Sequence, residues 1–321
     1  EISTRVTLQL TQIIKEQKLT LDDYKEEEVR HEIAKAKKDK DKYFVDELEQ
    51  IKITLSNEMK RNVILANEKG AGVWLTALPI QNMGYILNKQ EFRDSIHLRY
   101  GWKIPHTPSH CNCGLENSVD HTLNCKLGGY VNMRHNGIRN MEADILKEIC
   151  KDVKIEPELL PVGNTEFAGS NVAEKARLDV SAVGIWSAME RTFVDVRVMH
   201  PNSPSYMNST PQQLYNKHEK EKKRKYNQRV LQVEKGSFTP LIFTTSGGMG
   251  PEATKFHKRV AELIASKRNE NFSDVMNVIR TKLRFCLLRS TLIAIRGERG
   301  KKSRDSIPLS EVSFNLIESV E

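Results

Sequence analysis

The chain has 321 residues, enough for two domains or for one elaborated domain with a sizeable core. Charged residues make up 29% and the net charge is +8, which favours polyanions as partners, nucleic acid first. Five cysteines, three of them between Cys111 and Cys125, exclude the even, dispersed pattern of a disulfide scaffold and suggest a reducing compartment and a metal cluster.

The chain opens on Glu1 in place of Met and carries no signal peptide, which reads as a fragment of a longer polypeptide. Residues 1–70 read as a helical lead-in or arm. The run YKEEEVRHEIAKAKKDKDKYFVDELEQIK has opposite charges at helical spacing, the mark of a solvated helix, and a second amphipathic helix stops at Gly70. Residues 71–108 form an aromatic-rich connector punctuated by Pro79, Pro105 and Pro108, whose aromatic side chains are expected in the core.

Residues 109–135 contain Cys111, Cys113, His121 and Cys125 in the spacing C-x-C-x7-H-x3-C, four donors of the types zinc prefers. Gly114 suits a tight turn after the first pair, and His121 and Cys125 share one helix face. His106 and His110 are near enough in sequence to substitute for one ligand. With four protein donors and no open position the zinc is expected to be structural.

A helix is predicted from Arg134 and His135 through MEADILKEICKDV, with Met141, Ile145, Ile149 and Val153 as its apolar stripe, Cys150 beside it and Glu142 near its start. IEPELLPV reads as a strand or extended segment bearing Glu156, and NTEFAGSNVAEKA as a loop. RLDVSAVGIWSAMERTFVDVRVMH then reads as two strands, each with one aspartate, joined near Gly184 and Trp186. Alternation puts Val194, Val196 and Val198 on one face and Phe193, Asp195 and Arg197 on the other, with Leu178 and Val180 sharing a face opposite Asp179. If the strands pair, Asp179 and Asp195 reach one side of a sheet, where two carboxylates can hold a hard divalent cation.

PNSPSYMNSTPQQ is a loop long enough to be mobile. LYNKHEKEKKRKYNQRVLQVE is a basic helix with His218, Lys222 and Tyr226 in one row, and its cations, Lys225 among them, face water or phosphate. FTPLIFTTSGG is a buried strand, and the turn from Gly247 to Pro251 lacks the ending of a phosphate loop. Two amphipathic helices follow, the first with Phe256, Val260, Leu263 and Ile264 inward and the second capped by Ser273. Arg289 interrupts the longest apolar run, so no membrane span is expected, and residues 301–321 form a tail.

The order helix, strand with Glu156, strand with Asp179, strand with Asp195 and Arg197, basic helix, strand resembles the PD-(D/E)XK restriction-like nuclease core. With the upstream knuckle, the following Arg-His-Asn, and the strings GVWLTALPI, LRYGW, ARLDVSA and RVLQVEKGSFTPL, the region from Lys69 to Gly297 is similar to the carboxy-terminal endonuclease region of invertebrate-type retroelement reverse-transcriptase polyproteins. The resemblance implies an α/β (α+β) fold for residues 136–300, a mixed sheet flanked by helices. It implies a magnesium- or manganese-dependent nick in DNA that primes reverse transcription.

Asp179 and Asp195 would hold the metal, with Glu156 or Glu142 as a third acid. The family's lysine position is Arg197 here, whose pKa is too high for proton exchange, so Lys222 is expected to reach into the site instead. Arg134, His135, His218, Lys225 and Tyr226 are the candidate nucleic-acid contacts. The implied partners are DNA, an RNA template and a reverse transcriptase of the same polyprotein, in the nucleus. Two other readings stand beside it: a zinc-stabilised nucleic-acid-binding module with an inactive nuclease fold, and a domain that docks the reverse transcriptase to its template.

Overall fold

A computed structural model describes residues 26–162 and 171–297. The first part of the lead-in, most of the loop before the first aspartate strand, and the tail lie outside the described residues. The chain divides into two compact units, Glu1–Lys60 and Arg61–Glu321. In the first, α1 (Glu26–Thr54) matches the solvated helix expected from its mixed charges, with Lys52 paired to Glu49 one turn away. Helix α2 (Asn57–Ala66) follows.

In the second unit the elements run α3 (Lys89–Tyr100), α4 (Val119–Asn124), α5 (Tyr130–Lys147), β1 (Lys151–Ile155), β2 (Val180–Val183), β3 (Arg191–Met199), α6 (Pro211–Arg229), β4 (Ser237–Thr244), α7 (Pro251–Arg268) and α8 (Phe272–Arg296). The four strands form one mixed sheet in the order β1-β2-β3-β4, antiparallel except for the β3–β4 pair. Pro240 is tolerated opposite Asp195 because β4 is an edge strand.

Alternation along β3 sorts its residues between two helix layers. Val194 and Val196 pack with Ile138 and Leu146 of α5, Phe256 and Val260 of α7, and Leu283 of α8, and Val198 leans on the same core. On the opposite face Phe193 meets Tyr226, and Met199 meets Leu214 and Tyr215, all on α6. The fold is therefore mixed α/β, a four-stranded sheet between α5, α7 and α8 on one side and α6 on the other.

Several sequence expectations are corrected. Leu178 and Val180 do not share a face: Leu178 lies in the α6-side cluster and Val180 in the main core, because the chain bends at Asp179 before β2 begins. Helix α5 starts earlier, at Tyr130, and ends at Lys147, so the KDV expected in helix opens β1 instead. Alternating Val153 and Ile155 suit a strand better than a helix end. Glu156 follows β1 in a left-handed conformation, φ 51°.

The segment after β3 is pinned rather than left mobile. Arg61 donates to Asn202 Oδ1 (3.0 Å) and to the carbonyls of Pro201 (2.7 Å), Tyr206 (3.2 Å), Met207 (3.4 Å) and Ser209 (2.8 Å). A guanidinium has five N–H donors in a fixed fork, and this loop supplies an acceptor for each direction. The connector's aromatics divide: Trp74 and Tyr85 pack on Phe285 of α8, whereas Phe92, Tyr100 and Trp102 stay exposed. The residue before α8 is Asn271, and Ser273 lies inside the first turn. Among the described residues no helix is long and apolar enough to cross a membrane.

Candidate functional site

Two groups of side chains carry chemistry. The first is the knuckle. Donor atoms of Cys111, Cys113, His121 and Cys125 all lie within 4.8 Å of one another. Cys111 and Cys113 are brought round by a turn in which Gly114, at φ 91°, donates its amide to the Cys111 carbonyl. His121 and Cys125 come from one turn at α4, whose start is capped by Ser118. The Cys111 and Cys125 sulfurs are 3.9 Å apart, and Cys113 Sγ is 3.2 Å from His121 Nε2. A tetrahedral zinc with metal–sulfur bonds of about 2.3 Å needs sulfur pairs about 3.8 Å apart.

Thiolate character has a physical source here: burial opposes it at Cys111, but hydrogen bonds from the Cys113 amide and from His121, Cys113 and Cys125 outweigh burial and bring that thiol down to about 7. Burial pushes the Cys125 thiol up. The donor set fits a metal such as zinc. His106 and His110 are exposed and stand outside the cluster, so neither substitutes for a ligand. Of the other two cysteines, Cys150 packs against the main core and Cys286 lies within it.

The knuckle is tied to the sheet by side chains. Asp120 Oδ1 is 2.6 Å from His200 Nε2, Ser203 donates to Asn124 Oδ1 (3.0 Å), and Arg134 donates to the Leu123 carbonyl (3.0 Å). Arg134 is thus buried behind α4 and not on the surface where a phosphate contact was expected; burial lowers its pKa to about 10.

The second group surrounds Asp179 and Asp195. The Asp179 amide donates to the Val194 carbonyl (3.1 Å), which sets the two aspartates side by side where β2 meets β3. Beyond this point β2 no longer covers β3, so the amide and carbonyl of Val196 have no strand partner on that side. Asp179 Oδ2 accepts from the Val196 amide (2.6 Å), and His135 Nε2 lies 3.1 Å from the Val196 carbonyl and 3.2 Å from Asp179 Oδ2. A carbonyl only accepts, so Nε2 carries the proton. Burial lowers the pKa of His135, but the Asp179 carboxylate, by hydrogen bond and by charge, raises it further, for a net rise.

Asp195 lies on the face of β3 that meets α6, and Lys222 of that helix makes an ion pair with its Oδ2. Burial raises the Asp195 pKa; the Lys222 charge opposes that and the Asp179 charge reinforces it. Neither aspartate has a partner for Oδ1 among the described residues.

Among the described residues no third acid joins them. Glu156 donates its amide to the Asp179 carbonyl (2.9 Å), but its exposed carboxylate pairs with Arg139. Glu142 is fully buried against His257 (2.9 Å), whose Nδ1 donates to the Ala253 carbonyl (2.7 Å). Arg197 turns to Glu221 (3.0 Å), which is also 3.4 Å from His218 Nδ1. His218 is buried, edge-on to Tyr206, with Nε2 unpartnered among the described residues; burial, with the Arg197 charge, lowers its pKa.

Tyr226 is buried in the α6-side cluster, and the exposed Lys225 stands 5.1 Å from its ring centre. Of the five expected nucleic-acid contacts, Lys225 is therefore exposed and His135 part-exposed. The role of His135 beside Asp179 was missed, and no local pattern marks a pairing across 44 positions. No family model matches the chain, and no curated protein matches it.

Proposed function

We propose that the second unit is a metal-dependent endonuclease of the PD-(D/E)XK kind, cutting a DNA strand, with the knuckle as its structural support. The order α5-β1-β2-β3-α6-β4, in a mixed sheet flanked by helices, supports that reading. The observation that carries the reading is the ammonium of Lys222 against Asp195, beside a second aspartate whose Oδ1, like that of Asp195, remains uncommitted.

Asp179 and Asp195 would hold magnesium or manganese through those oxygens; the ion would supply an acidified water and charge neutralisation at the scissile phosphate. His135 and the Val196 amide hold Asp179 Oδ2 and fix the orientation of that carboxylate. Lys222 would neutralise charge on the phosphate as the attacking oxygen arrives. Arg197, held by Glu221, orders α6 against β3 and is not assigned a part in the reaction.

A second reading rests on the capping of Val196. Asp179 and His135 replace a missing strand partner, and Lys222 neutralises Asp195, so the same residues suffice for a non-cutting, nucleic-acid-binding fold. A nicking assay on supercoiled plasmid with magnesium and a chelator control separates the two. Asp179→Ala and Asp195→Ala are each expected to abolish nicking while DNA retention persists. Nicking that survives both substitutions rejects the endonuclease, and retention without nicking by the unaltered chain selects the binding fold.

A further inference from the structure

A second surface, away from the aspartates, has the chemistry to take a different ligand. Helix α3 carries two acids, Glu91 and Asp94, and each makes its shortest ion pair with α8, while the exposed Arg93 stands 3.9 Å from Asp94 Oδ1. Glu91 pairs with Arg289 (3.3 Å), and buried Asp94 receives two bonds from Arg296, at 2.7 and 2.9 Å. At about 100° per residue, Lys89, Arg93 and Tyr100 fall together on the side opposite Leu98 and Glu91, and all three are exposed. The outward face of α3 is therefore basic, with no acid among its own residues.

The helix ends in Gly101, left-handed at φ 69°, whose amide closes the last turn. The reversal folds the chain back so that Trp102 lies parallel to Tyr100, ring centres 5.0 Å apart at 28°, with His97 edge-on to Trp102 at 5.7 Å. The backbone is locked on both sides. The Trp102 amide donates to the His97 carbonyl (2.8 Å), His97 Nδ1 donates to the Lys103 carbonyl (2.7 Å), and Ile104 is buried in the cluster beside the knuckle. Despite this rigidity Tyr100 and Trp102 remain 45% and 51% exposed. Two large rings held in fixed orientation, half in water and flanked by Arg93 and Lys103, leave unused the area that usually drives such side chains inward.

We infer that Tyr100 and Trp102 form a stacking platform for the unpaired bases of a single-stranded nucleic acid, whose phosphates run along Lys89, Arg93 and Lys103. Basic charge that follows a strand, combined with an aromatic face that accepts any base, is the combination that holds single strands without reading their sequence. A duplex cannot use it, since its bases are stacked on one another. The inference does not depend on the endonuclease reading, because none of these residues belongs to the aspartate site.

The test is binding of labelled oligothymidine, and of a duplex of equal length, to the full chain with zinc present, followed by anisotropy. Trp102→Ala and Tyr100→Ala are each expected to weaken oligothymidine binding roughly tenfold, the scale of one lost base stack, with duplex affinity unchanged. Trp102→Phe should restore most of the loss, and Lys89→Gln with Arg93→Gln should reduce the salt dependence for single strands by about one to two ions. Oligothymidine should also quench tryptophan emission in the unaltered chain and not in Trp102→Phe. A melting temperature equal to that of the unaltered chain would show that Trp102→Ala is folded; if it is not, the emission result alone decides. The proposal is overturned if oligothymidine binding survives both alanine variants, if duplex binding falls in parallel, or if no quenching occurs, as expected were the platform a contact for a protein.

Discussion

The knuckle and the aspartate pair both gather residue types that bind metals, yet they stand in opposite states of commitment. In the knuckle the four donors face one another, all within 4.8 Å. In the aspartate pair one oxygen of each acid is already engaged, at Asp179 by Val196 and His135 and at Asp195 by Lys222. The difference teaches that convergence of donors is one property and availability another. Soft thiolates brought together in a small loop have little to gain except a metal, whereas carboxylates at a sheet edge satisfy backbone and ammonium groups on their own.

The largest effect that can break this comparison comes from removing the metal that the knuckle's donors would hold. Cys125→Ser, or prolonged chelation of the unaltered chain, is expected to cost on the order of 4 kcal/mol, since loss of a structural metal belongs with the severe mutational classes. In a unit of this size that lowers Tm by about 10 °C, readable by calorimetry, and zinc added after chelation should restore it. A knuckle whose melting ignores the chelator is held by packing alone, and the contrast with the aspartates collapses.

A smaller effect sharpens the other half. Lys222→Met leaves Asp195 nearly buried without its counter-charge, and urea unfolding is expected to show a loss of about 2 to 3 kcal/mol. Adding Asp195→Asn should recover most of it, because the stranded charge is then gone. Equal destabilisation by the single and double variants would mean that Lys222 acts through packing on Tyr226 and not through the ion pair.

The smallest effect is a pH dependence at His135. Its pKa is raised in the folded chain by Asp179, so the stability it supplies is full below the ordinary histidine value of 6.5 and drains away as pH rises through the higher folded value. His135 is about one-third exposed, and solvent screening holds the contribution under about 1 kcal/mol. The free energy of unfolding should decline as pH rises across that window in the unaltered chain and stay flat in His135→Gln; parallel curves would dissociate His135 from Asp179.

Much of the frame was legible in the residues. The four knuckle donors lie close in sequence with a glycine at the turn, so their convergence needs only local geometry, and it was expected complete. The alternation of β3, the buried character of β4 and the basic α6 were legible because strand and helix periods are properties of a short window. Lys222 was expected at the site from the mismatch at Arg197. What was misjudged belongs to edges and partners: the bend that separates Leu178 from Val180, the end of α5, and the loop after β3 that Arg61 gathers in.

By itself, then, the sequence determined the donors of the knuckle, the order of helices and strands, and which face of β3 each residue occupies. These depend on neighbours a few positions away, through turn geometry and side-chain period. Only the tertiary structure decided who meets whom: His135 on Asp179, Glu142 on His257 across 115 positions, Glu221 on Arg197, and the aromatics of α3 left in water. The reason is that a charged or polar side chain takes the partner that packing brings within reach, and packing is set by the whole core rather than by any window of the chain.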